Sequence, residues 1–469
     1  MKNKYTPTIG IEVHAELKTK SKMFCSCAND PHASLPNTHI CPVCLAHPGT
    51  LPVVNEEAVK SILKIGLAIE GELAEYSEFD RKHYFYPDIP KAYQISQYQY
   101  PFVSGGSIAG VEITRIHLEE DTARSIHDQG EGSLIDFNRS GVPLMELVTE
   151  PVIHDSSTAG NFARELQLLL RTLGVSDANM EKGEMRVEAN VSLSCDNVLG
   201  TKVEVKNLNS FKSVENAIAY EIERQTAVLD SGEMVVQETR GWDENKMNTF
   251  TQRRKETAKD YRYFPDPDVP KLVRSENEQL SNSGLGEKTL NTPQKKRLKY
   301  TNLGLTSDQI ETIISVPAYD EFFTRALENA SGEVAPKMIA NYFITDVLSV
   351  ISAGKQISDA DPSSFAKLMH LLASSKINSR VAKDILFEAV FEGHDPEVIA
   401  EDRGLLQKND TSALKEVVAE VVSQNQSVVA EYKSGKDSAL QFLIGQGMKI
   451  TKGSANPSLL KELILEEIA

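Results

Sequence analysis

Apolar and polar residues alternate along several short segments of the first 291 residues, with the two-residue period of β-strands. The segments predicted to be strands are 8–17, 111–118, 133–138, 144–149, 185–193 and 201–208. Apolar residues at helical spacing instead predict helices at 160–173 and 213–228, with short helical pieces around 56–67. This mixture predicts an α+β fold that begins with a mixed α/β domain.

The pattern changes towards residue 291. Residues 275–291 are rich in Ser, Asn, Glu and Gly, which is typical of a linker or loop. From residue 292 onward almost every segment has a helical period, and the predicted helices are 307–315, 318–330, 335–351, 363–374, 379–392 and 457–468. With a second boundary near 395–406, the sequence predicts an amino-terminal domain over 1–291, an all-α helical domain over 292–400 and a helical tail domain over 401–469.

The predicted strand at 8–17 has one apolar face and one polar face. The polar face carries the side chains of Glu12, His14 and Glu16. Two carboxylates beside an imidazole suit a divalent cation or acid–base chemistry. The same pattern also occurs on the solvent-facing side of an edge strand, so this strand alone leaves both interpretations open.

Two other segments place acidic residues at strand ends. Residues 119–121 are three consecutive acids after the predicted strand at 111–118, and Glu146 and Glu150 share one strand face. Neighbouring like charges are unfavourable unless a cation or a basic ligand neutralises them. If these strand ends converge with His14, they could bind Mg²⁺, and such an ion suits phosphoryl transfer from ATP.

No P-loop, dinucleotide-binding glycine motif or kinase signature is present in the sequence, so a nucleotide would need another kind of site. Three segments could supply it: 81–88, 202–212 and 251–255. The first combines aromatic side chains that could stack on a base with cations that could contact phosphates. A core aromatic cluster and a surface ladder of charges are the alternative interpretations.

Four cysteines near the amino-terminal end have the spacing of a zinc site: Cys25, Cys27, Cys41 and Cys44. The fifth cysteine, Cys195, stands apart from them. Two reduced pairs or a disulfide are the alternatives. Because a large chain with few cysteines is typical of a reducing compartment, we expect a structural Zn²⁺.

The net charge of the 469-residue chain is −17, which argues against sequence-independent binding of nucleic acid over the whole surface. Local basic patches could still bind a nucleic acid, although each could also be an ordinary solvated face. These patches lie at 253–255, 295–299 and at lysines 433, 436, 449 and 452. No apolar run is long enough for a membrane span and no secretory signal is evident. We therefore expect a cytoplasmic protein without a DNA or membrane partner.

Long motifs throughout the chain resemble the B subunit of the aspartyl/glutamyl-tRNA(Asn/Gln) amidotransferase, the GatB family. They include Ile-Gly-Ile-Glu-Val-His-Ala-Glu at 9–16, Tyr-Phe-Tyr-Pro-Asp at 84–88 and His-Leu-Glu-Glu-Asp at 117–121. Further similar segments are 138–146, 206–211, 237–240, 260–266 and 445–457. The resemblance spans essentially the whole chain.

The resemblance implies part of an enzyme, a glutamine-hydrolysing carbon–nitrogen ligase. The B subunit would phosphorylate the side-chain carboxylate of mis-charged Asp-tRNA(Asn), Glu-tRNA(Gln) or both, using ATP. Ammonia from a glutaminase, the A subunit, would then give Asn-tRNA or Gln-tRNA, and a small C subunit would complete a heterotrimer. By the same resemblance, residues 1–291 would be a cradle domain with a zinc knuckle and a kinase-type ATP/Mg²⁺ site, and 401–469 a tail that binds tRNA.

The resemblance also implies site residues. His14, Glu120 and Glu146 would bind Mg²⁺, with Glu12 and Glu150 beside them in the catalytic site and an indirect role for Glu119. The candidates for contact with nucleotide or substrate are Tyr84, Tyr86, Lys206, Asn209, Ser210 and Arg253. The four clustered cysteines would bind Zn²⁺.

Two positions depart from the family pattern. Glu188 stands where the family usually has Asp, and Arg124 stands where it usually has Lys. The alternative function is that of a non-catalytic adaptor that binds tRNA. An adaptor would have no reason to gather His14, Glu120 and Glu146 at one point, so the arrangement of these side chains distinguishes the two hypotheses.

Overall fold

The computed structural model describes residues 4–468 except 128–131, 197, 255–260, 282–284, 287–289, 408–410 and 452–454. The chain forms two compact units, Met1–Pro293 and Gln294–Ala469. This division lies close to the boundary that the change of pattern at residue 291 predicts. In the described residues, no helix is long and apolar enough to cross a membrane.

The described part of the first unit contains strands and three long helices. The strands are β1 (Thr6–Glu16), β2 (Glu72–Leu73), β3 (Tyr76–Ser77), β4 (Asp80–His83), β5 (Tyr93–Ser96), β6 (Val103–Ser104), β7 (Ser107–Ile108), β8 (Val111–Glu120), β9 (Arg124–Ile126), β10 (Leu134–Asp136), β11 (Pro143–Thr149), β12 (Met185–Ser194), β13 (Val203–Leu208), β14 (Glu238–Asp243), β15 (Asn248–Arg254), β16 (Phe264–Pro265) and β17 (Leu272–Val273). The helices are α1 (Glu56–Ala68), α2 (Ser156–Thr172) and α3 (Phe211–Asp230).

Ten of the described strands form one sheet, with β7 paired to β8 and the others in the order β15-β14-β13-β12-β1-β11-β8-β6-β2. The described pairings are antiparallel except the one between β13 and β14. β1 therefore lies inside the sheet, between β11 and β12. Its apolar face, with Ile9, Ile11 and Val13, is buried in the same core as Phe162 and Leu166 of α2.

Helices α2 and α3 begin earlier than the apolar period alone predicts. Asp155 caps α2 by accepting a hydrogen bond from the backbone N–H of Thr158, and Ser210 caps α3 by accepting one from Ser213. Such side chains satisfy backbone donors that the first helical turn leaves unpaired. The predicted starts at 160 and 213 therefore missed the first residues of each helix, which these caps stabilise.

In the second unit the described segments with regular structure are helical. The helices are α4 (Pro293–Asn302), α5 (Ser307–Ile314), α6 (Pro317–Asn329), α7 (Pro336–Tyr342), α8 (Leu348–Ser352), α9 (Pro362–Ala373), α10 (Ser379–Phe391), α11 (Pro396–Asp402), α12 (Thr411–Gln424), α13 (Gln426–Lys433), α14 (Asp437–Ile450) and α15 (Pro457–Ile468). The predicted helix at 335–351 is α7 and α8 joined by a π-helical turn, Phe343–Val347. The predicted α+β class, with an all-α second part, is confirmed.

Helices α12 to α15 share a hydrophobic cluster of their own, which includes Leu414, Val421, Leu443 and Leu460. This cluster is compatible with a separate tail, although the boundary near residue 400 stays a prediction. The basic residues expected at 255 and 452 lie outside the described residues.

Candidate functional site

The register of the sheet aligns four polar side chains across neighbouring strands. His14 of β1 lies opposite Arg186 of β12 and opposite Glu146 of β11, and Glu146 lies opposite His117 of β8. Directly opposed residues on one face of a sheet have neighbouring side chains. The pairing thus assembles a row of charged groups that are far apart in the sequence.

Around this row lies a cluster of three acids and two histidines, here called the acid–histidine cluster: Glu12, His14, His117, Glu119 and Glu146. His14 Nε2 lies 3.3 Å from Glu146 Oε2, 3.5 Å from Glu119 Oε1 and 3.9 Å from Glu12 Oε1. His117 Nε2 lies 3.3 Å from Glu146 Oε2 and 4.0 Å from Glu119 Oε2. The cluster is compact enough for one cation to contact several of these groups.

The buried carboxylates of the cluster differ in protonation. Burial opposes the charge on Glu146, but the neighbouring imidazoles of His117 and His14 outweigh the effect of burial. They hold the pKa of the Glu146 carboxyl well below its usual value. Glu119 behaves similarly, since burial is outweighed by Lys82 and His14, which lower its pKa. By contrast, burial and the neighbouring Glu146 raise the pKa of Glu12 to about 7. Glu119 and Glu146 are therefore the carboxylates of the cluster that stay ionised at neutral pH.

Glu120 does not belong to this cluster, contrary to the prediction. Strand β8 alternates, so His117 and Glu119 face the site whereas Glu120 lies on the face of the buried Ile116 and Leu118. The Glu120 carboxylate accepts hydrogen bonds from Lys91 Nζ at 2.7 Å and from the backbone N–H of Ile95 at 3.0 Å. Glu119 occupies the position expected for Glu120, and Ser96 Oγ donates a hydrogen bond to it at 3.0 Å.

Glu150 is also placed differently from the prediction. Its expected position on the face of Glu146 assumed an unbroken strand, but the register shifts between Val148 and Thr149. The Glu150 carboxylate instead accepts a hydrogen bond from Thr114 Oγ1 at 2.8 Å, and Glu150 does not line the cavity described next.

The acid–histidine cluster forms the floor of a cavity of about 530 Å³. Five tyrosines, here called the tyrosine wall, line the same cavity: Tyr84, Tyr86, Tyr98, Tyr261 and Tyr263. The rings of Tyr98 and Tyr263 are stacked, with centroids 4.7 Å apart. The expected placement of Tyr84 and Tyr86 in one aromatic site therefore agrees with the structure.

Among the described residues, four with cationic side chains also line the cavity: Lys82, Arg115, Arg186 and Lys206. Lys206 forms an ion pair with Glu188 at 2.9 Å, and Arg186 forms one with Asp121 at 3.0 Å. Burial opposes the charge of Lys82, but Glu119, Tyr263 and Glu146 outweigh it and raise its pKa well above the usual value. The cavity thus presents both anionic and cationic groups to a ligand.

The remaining nucleotide candidates lie elsewhere. Asn209 and Ser210 line a separate shallow cavity at the start of α3, where Ser210 is engaged in capping the helix. Arg253 is on β15, paired in register with Thr239, and its side chain lies outside the described part of the chain. The structure therefore brings Tyr84, Tyr86 and Lys206 into the cavity, but not Asn209 and Ser210.

The four cysteines form a second compact cluster, with their sulfur atoms all within 4.8 Å of one another. Cys41 Sγ and Cys44 Sγ are 3.9 Å apart, and the backbone N–H of Cys41 donates a hydrogen bond to Cys44 Sγ at 3.1 Å. A hydrogen bond from Cys25 lowers the pKa of the Cys44 thiol to about 5. Cys195 is exposed and apart from them.

Sequence reasoning missed His117 and Arg186 and gave Glu119 only an indirect role. Lys82 was included in the predicted segment 81–88, whose cations could contact phosphates, but it was not singled out. The sequence did contain a signal for Glu119. Ile116 and Leu118 mark the core face of β8, and alternation places Glu120 on that core face and Glu119 on the opposite one. Arg186 and His117 had no comparable signal, since they reach the site through the register of strands that are distant in the sequence.

Comparisons with known proteins place this architecture in a family. A family model described as the GatB/GatE catalytic domain matches residues 7–279, and a second, described as the GatB domain, matches residues 321–468. The chain belongs to the GatB/GatE family. The first match covers the acid–histidine cluster, the tyrosine wall and the cysteine cluster.

Relatives in the GatB/GatE family match almost the full chain. The protein of Thermoanaerobacter pseudethanolicus is 42% identical over 482 residues, 99% of this chain and 100% of the relative. The protein of Thermus thermophilus is 44% identical over 474 residues, 99% of each chain. Both are named as the B subunit of an aspartyl/glutamyl-tRNA(Asn/Gln) amidotransferase.

The two departures from the expected GatB pattern have different surroundings. Glu188 lines the cavity, where it pairs with Lys206, so its longer side chain retains a charged partner. Arg124 begins β9 and is exposed. Neither change removes a member of the acid–histidine cluster of this GatB/GatE protein.

Proposed function

We propose that this chain is the B subunit of an ATP-dependent tRNA amidotransferase, a glutamine-hydrolysing carbon–nitrogen ligase. Its role would be to phosphorylate the side-chain carboxylate of mis-charged Asp-tRNA(Asn), Glu-tRNA(Gln) or both. The observation that carries the proposal is the acid–histidine cluster, on the floor of a cavity that also presents aromatic and cationic side chains, in a chain of the GatB/GatE family.

The donor groups of the cluster fit a divalent cation that prefers oxygen ligands. Ligand atoms of Glu12, His14 and Glu146 lie within 4.8 Å of one another, as do those of His117, Glu119 and Glu146. Carboxylate oxygens together with an imidazole suit Mg²⁺ or Mn²⁺. His14 Nε2 also lies 3.5 Å from Glu119 Oε1 and 3.3 Å from Glu146 Oε2. We therefore propose that His14, Glu119 and Glu146 hold Mg²⁺, with Glu12 beside them. When bound, the ion would neutralise charge on the phosphoryl group.

The remaining side chains of the cavity suit a nucleotide and an acidic substrate. The tyrosine wall offers ring faces on which a base can stack, since every base has a π-face. The cationic side chains that line the cavity offer hydrogen-bond donors to anionic oxygens. Positioning of this kind, with fixed charges around the transferring group, accounts for most of the catalysis in phosphoryl transfer.

The chemistry that follows from this proposal has two balanced steps. An oxygen of the substrate carboxylate attacks the γ-phosphorus of ATP, the bond to the β-phosphate oxygen breaks, and ADP leaves. Ammonia then attacks the carbonyl carbon of the acyl phosphate, inorganic phosphate leaves, and the nitrogen loses a proton to give the amide. The first step is needed because a free carboxylate has no good leaving group.

The proposed partners follow from the chemistry and from the relatives' names, which call each relative a B subunit. Ammonia would come from a glutaminase, the A subunit, and a small C subunit would complete a heterotrimer. The tail, 401–469, would contact tRNA. A non-catalytic adaptor is the less favoured function because it gives no reason for the close approach of His14, Glu119 and Glu146.

The cysteine cluster fits Zn²⁺ by its donor chemistry. Four sulfur ligands at about 2.3 Å from a tetrahedral zinc lie about 3.8 Å from each other, and Cys41 Sγ and Cys44 Sγ are 3.9 Å apart. We propose a structural role, because the acid–histidine cluster is formed by other side chains. Bound zinc would hold together two segments of chain that contain few other regular elements.

Replacing Cys41 by Ser is expected to lower the zinc content well below one ion per chain and to lower the thermal midpoint, because a site of three thiolates binds zinc more weakly. Elemental analysis of the purified protein measures the first effect and thermal unfolding the second. Cys195→Ser is the matched control and should keep its zinc. Equal zinc content in the Cys41→Ser and wild-type proteins would contradict the proposed site.

The experiment that tests the proposed function is the conversion of Asp-tRNA and Glu-tRNA by the chain co-purified with its amidotransferase partners, with ATP and ammonia supplied. We expect ATP-dependent formation of Asn-tRNA, Gln-tRNA or both, and release of one ADP per amide. If neither tRNA is converted while tRNA binding is tight, the adaptor function replaces this proposal.

A further inference from the structure

The four cations of the cavity differ in their partners. Lys206 lies 2.9 Å from Glu188, Arg186 lies 3.0 Å from Asp121, and Arg115 lies 3.7 Å from Glu146. Lys82 differs, because no carboxylate of the described residues lies within 4.0 Å of its Nζ. Among the described cations that line the cavity, its ammonium group is therefore the one without a carboxylate partner at this distance, and its N–H donors are left for a ligand.

The surroundings of Lys82 hold this ammonium group at the cavity. Strand β4 pairs Lys82 with Gln94 of β5, and both residues line the cavity. The Lys82 Nζ lies 5.4 Å from the ring centroid of Tyr261 and 6.0 Å from that of Tyr84. Ring faces attract a cation without using its N–H donors in strong hydrogen bonds. They can thus hold the side chain in place while leaving those donors for an anion.

We propose that Lys82 is a catalytic residue that binds an anionic oxygen of the substrates in the activation step. This inference rests on the proposed function and adds to it a residue outside the acid–histidine cluster. The oxygen belongs either to the γ-phosphoryl group of the nucleotide or to the side-chain carboxylate of the mis-charged amino acid. Both are anionic, and both must come together above the cluster for the transfer to occur.

The charges in the cavity explain why such a residue is needed. The carboxylates of the acid–histidine cluster repel a triphosphate and a substrate carboxylate unless positive charge intervenes. A divalent cation held by the cluster would offset this repulsion from one side. Lys82 supplies a fixed positive charge from the protein, and a preorganised donor aimed at developing charge contributes on the order of 10²–10³ in rate.

The test compares Lys82→Met and Lys82→Gln with the wild-type complex under ATP- and ammonia-dependent conversion of mis-charged tRNA. We expect kcat/KM to fall about 10²-fold or more in both variants, by loss of one preorganised donor. Lys246→Met is the matched control, since Lys246 is an exposed lysine that pairs with Asp243 and does not line the cavity.

Two binding measurements identify which anion Lys82 contacts. Affinity for the β,γ-imido analogue of ATP is measured without tRNA, and the KM for mis-charged tRNA is measured at saturating ATP. If the affinity for the analogue weakens about tenfold or more, Lys82 contacts the phosphoryl group, because this is the effect of losing one charge-assisted hydrogen bond. Unchanged analogue affinity, with a raised KM for tRNA, assigns it to the substrate carboxylate. Either result supports the proposal.

Mn²⁺ affinity and thermal stability separate anion binding from a structural role. Removing Lys82 reduces the repulsion of Mn²⁺, but it also removes a charge that lowers the pKa of Glu119. Mn²⁺ affinity is therefore compared at a pH at which Glu119 is ionised in both variants, and there it is expected to equal or exceed that of the wild type. The proposal is overturned if both variants keep kcat/KM close to that of the wild type, or if the loss of activity comes with lost Mn²⁺ affinity and a lowered thermal midpoint. An inactive wild-type complex would instead count against the proposed function itself.

Discussion

Replacement of Glu119 by Gln is expected to lower ATP-dependent amidation about 10²-fold or more, the scale associated with losing one preorganised electrostatic group. The Glu119 carboxylate is buried, lies 3.5 Å from His14 Nε2 and is held by Ser96. The amide is nearly the same size, so the fold should be retained. What is lost is one negative charge from the group of ligands proposed for Mg²⁺.

The informative control is the adjacent residue. Glu120→Gln removes a carboxylate from the opposite face of β8, so the Mn²⁺ affinity of this variant should equal that of the wild type. The Mn²⁺ affinity of Glu119→Gln should be lower. Titration of each variant with Mn²⁺, followed by the paramagnetic signal of the free ion, measures this difference. If Glu120→Gln weakens Mn²⁺ binding and Glu119→Gln does not, the assignment of the cluster is wrong.

A second large effect is expected in the helical unit, where Lys296→Met should reduce the free energy of unfolding by about 3–5 kcal/mol. Lys296 and Asp320 are both buried and form an ion pair at 2.8 Å. The Tyr300 hydroxyl also donates a hydrogen bond to Asp320. Removing the lysine leaves a buried carboxylate without its cation. Adding Asp320→Asn should recover part of the loss, because a neutral amide still accepts the hydrogen bond from Tyr300.

The two units can be followed separately in such an experiment. The chain has one tryptophan, Trp242, and it is buried on β14 of the first unit. Denaturant unfolding followed by circular dichroism at helical wavelengths should shift in Lys296→Met, whereas the Trp242 fluorescence transition reports the sheet. An unchanged circular-dichroism midpoint would show that the buried pair contributes little to stability.

Much of the fold could be predicted from the sequence because its central elements have strong periods. Strands β1, β8, β11 and β12 agree with the predicted segments to within about two residues at each end. Strand β4 was missed because Asp80–His83 is polar or charged at every position, which conceals the two-residue period. Strands β14 and β15 were missed as well; the buried positions of β14 include Glu238 and Thr239, and Thr249 of β15 is also buried.

The site could be predicted only in part. His14 and Glu146 follow from alternation within a single strand, and Glu119 could have been chosen over Glu120 by extending that alternation through Leu118. The row formed by Arg186, His14, Glu146 and His117 could not be predicted, because it depends on which strands pair and in which register. Pairing is set by packing of the whole sheet, which a period measured along one segment does not contain.

The position of β1 inside the sheet also governs when the protein can fold during synthesis. Both neighbours of β1 are made much later, since β11 begins at Pro143 and β12 ends at Ser194. At about 5–20 residues per second, roughly ten to forty seconds pass before the ribosome has made them. Both edges of the first strand lack a partner until β11 is made, and one edge lacks a partner until β12 follows; unpaired edges are the kind of surface that aggregates or recruits chaperones. All members of the acid–histidine cluster have been made once β11 is complete, whereas the sheet is complete only after β15 has been made.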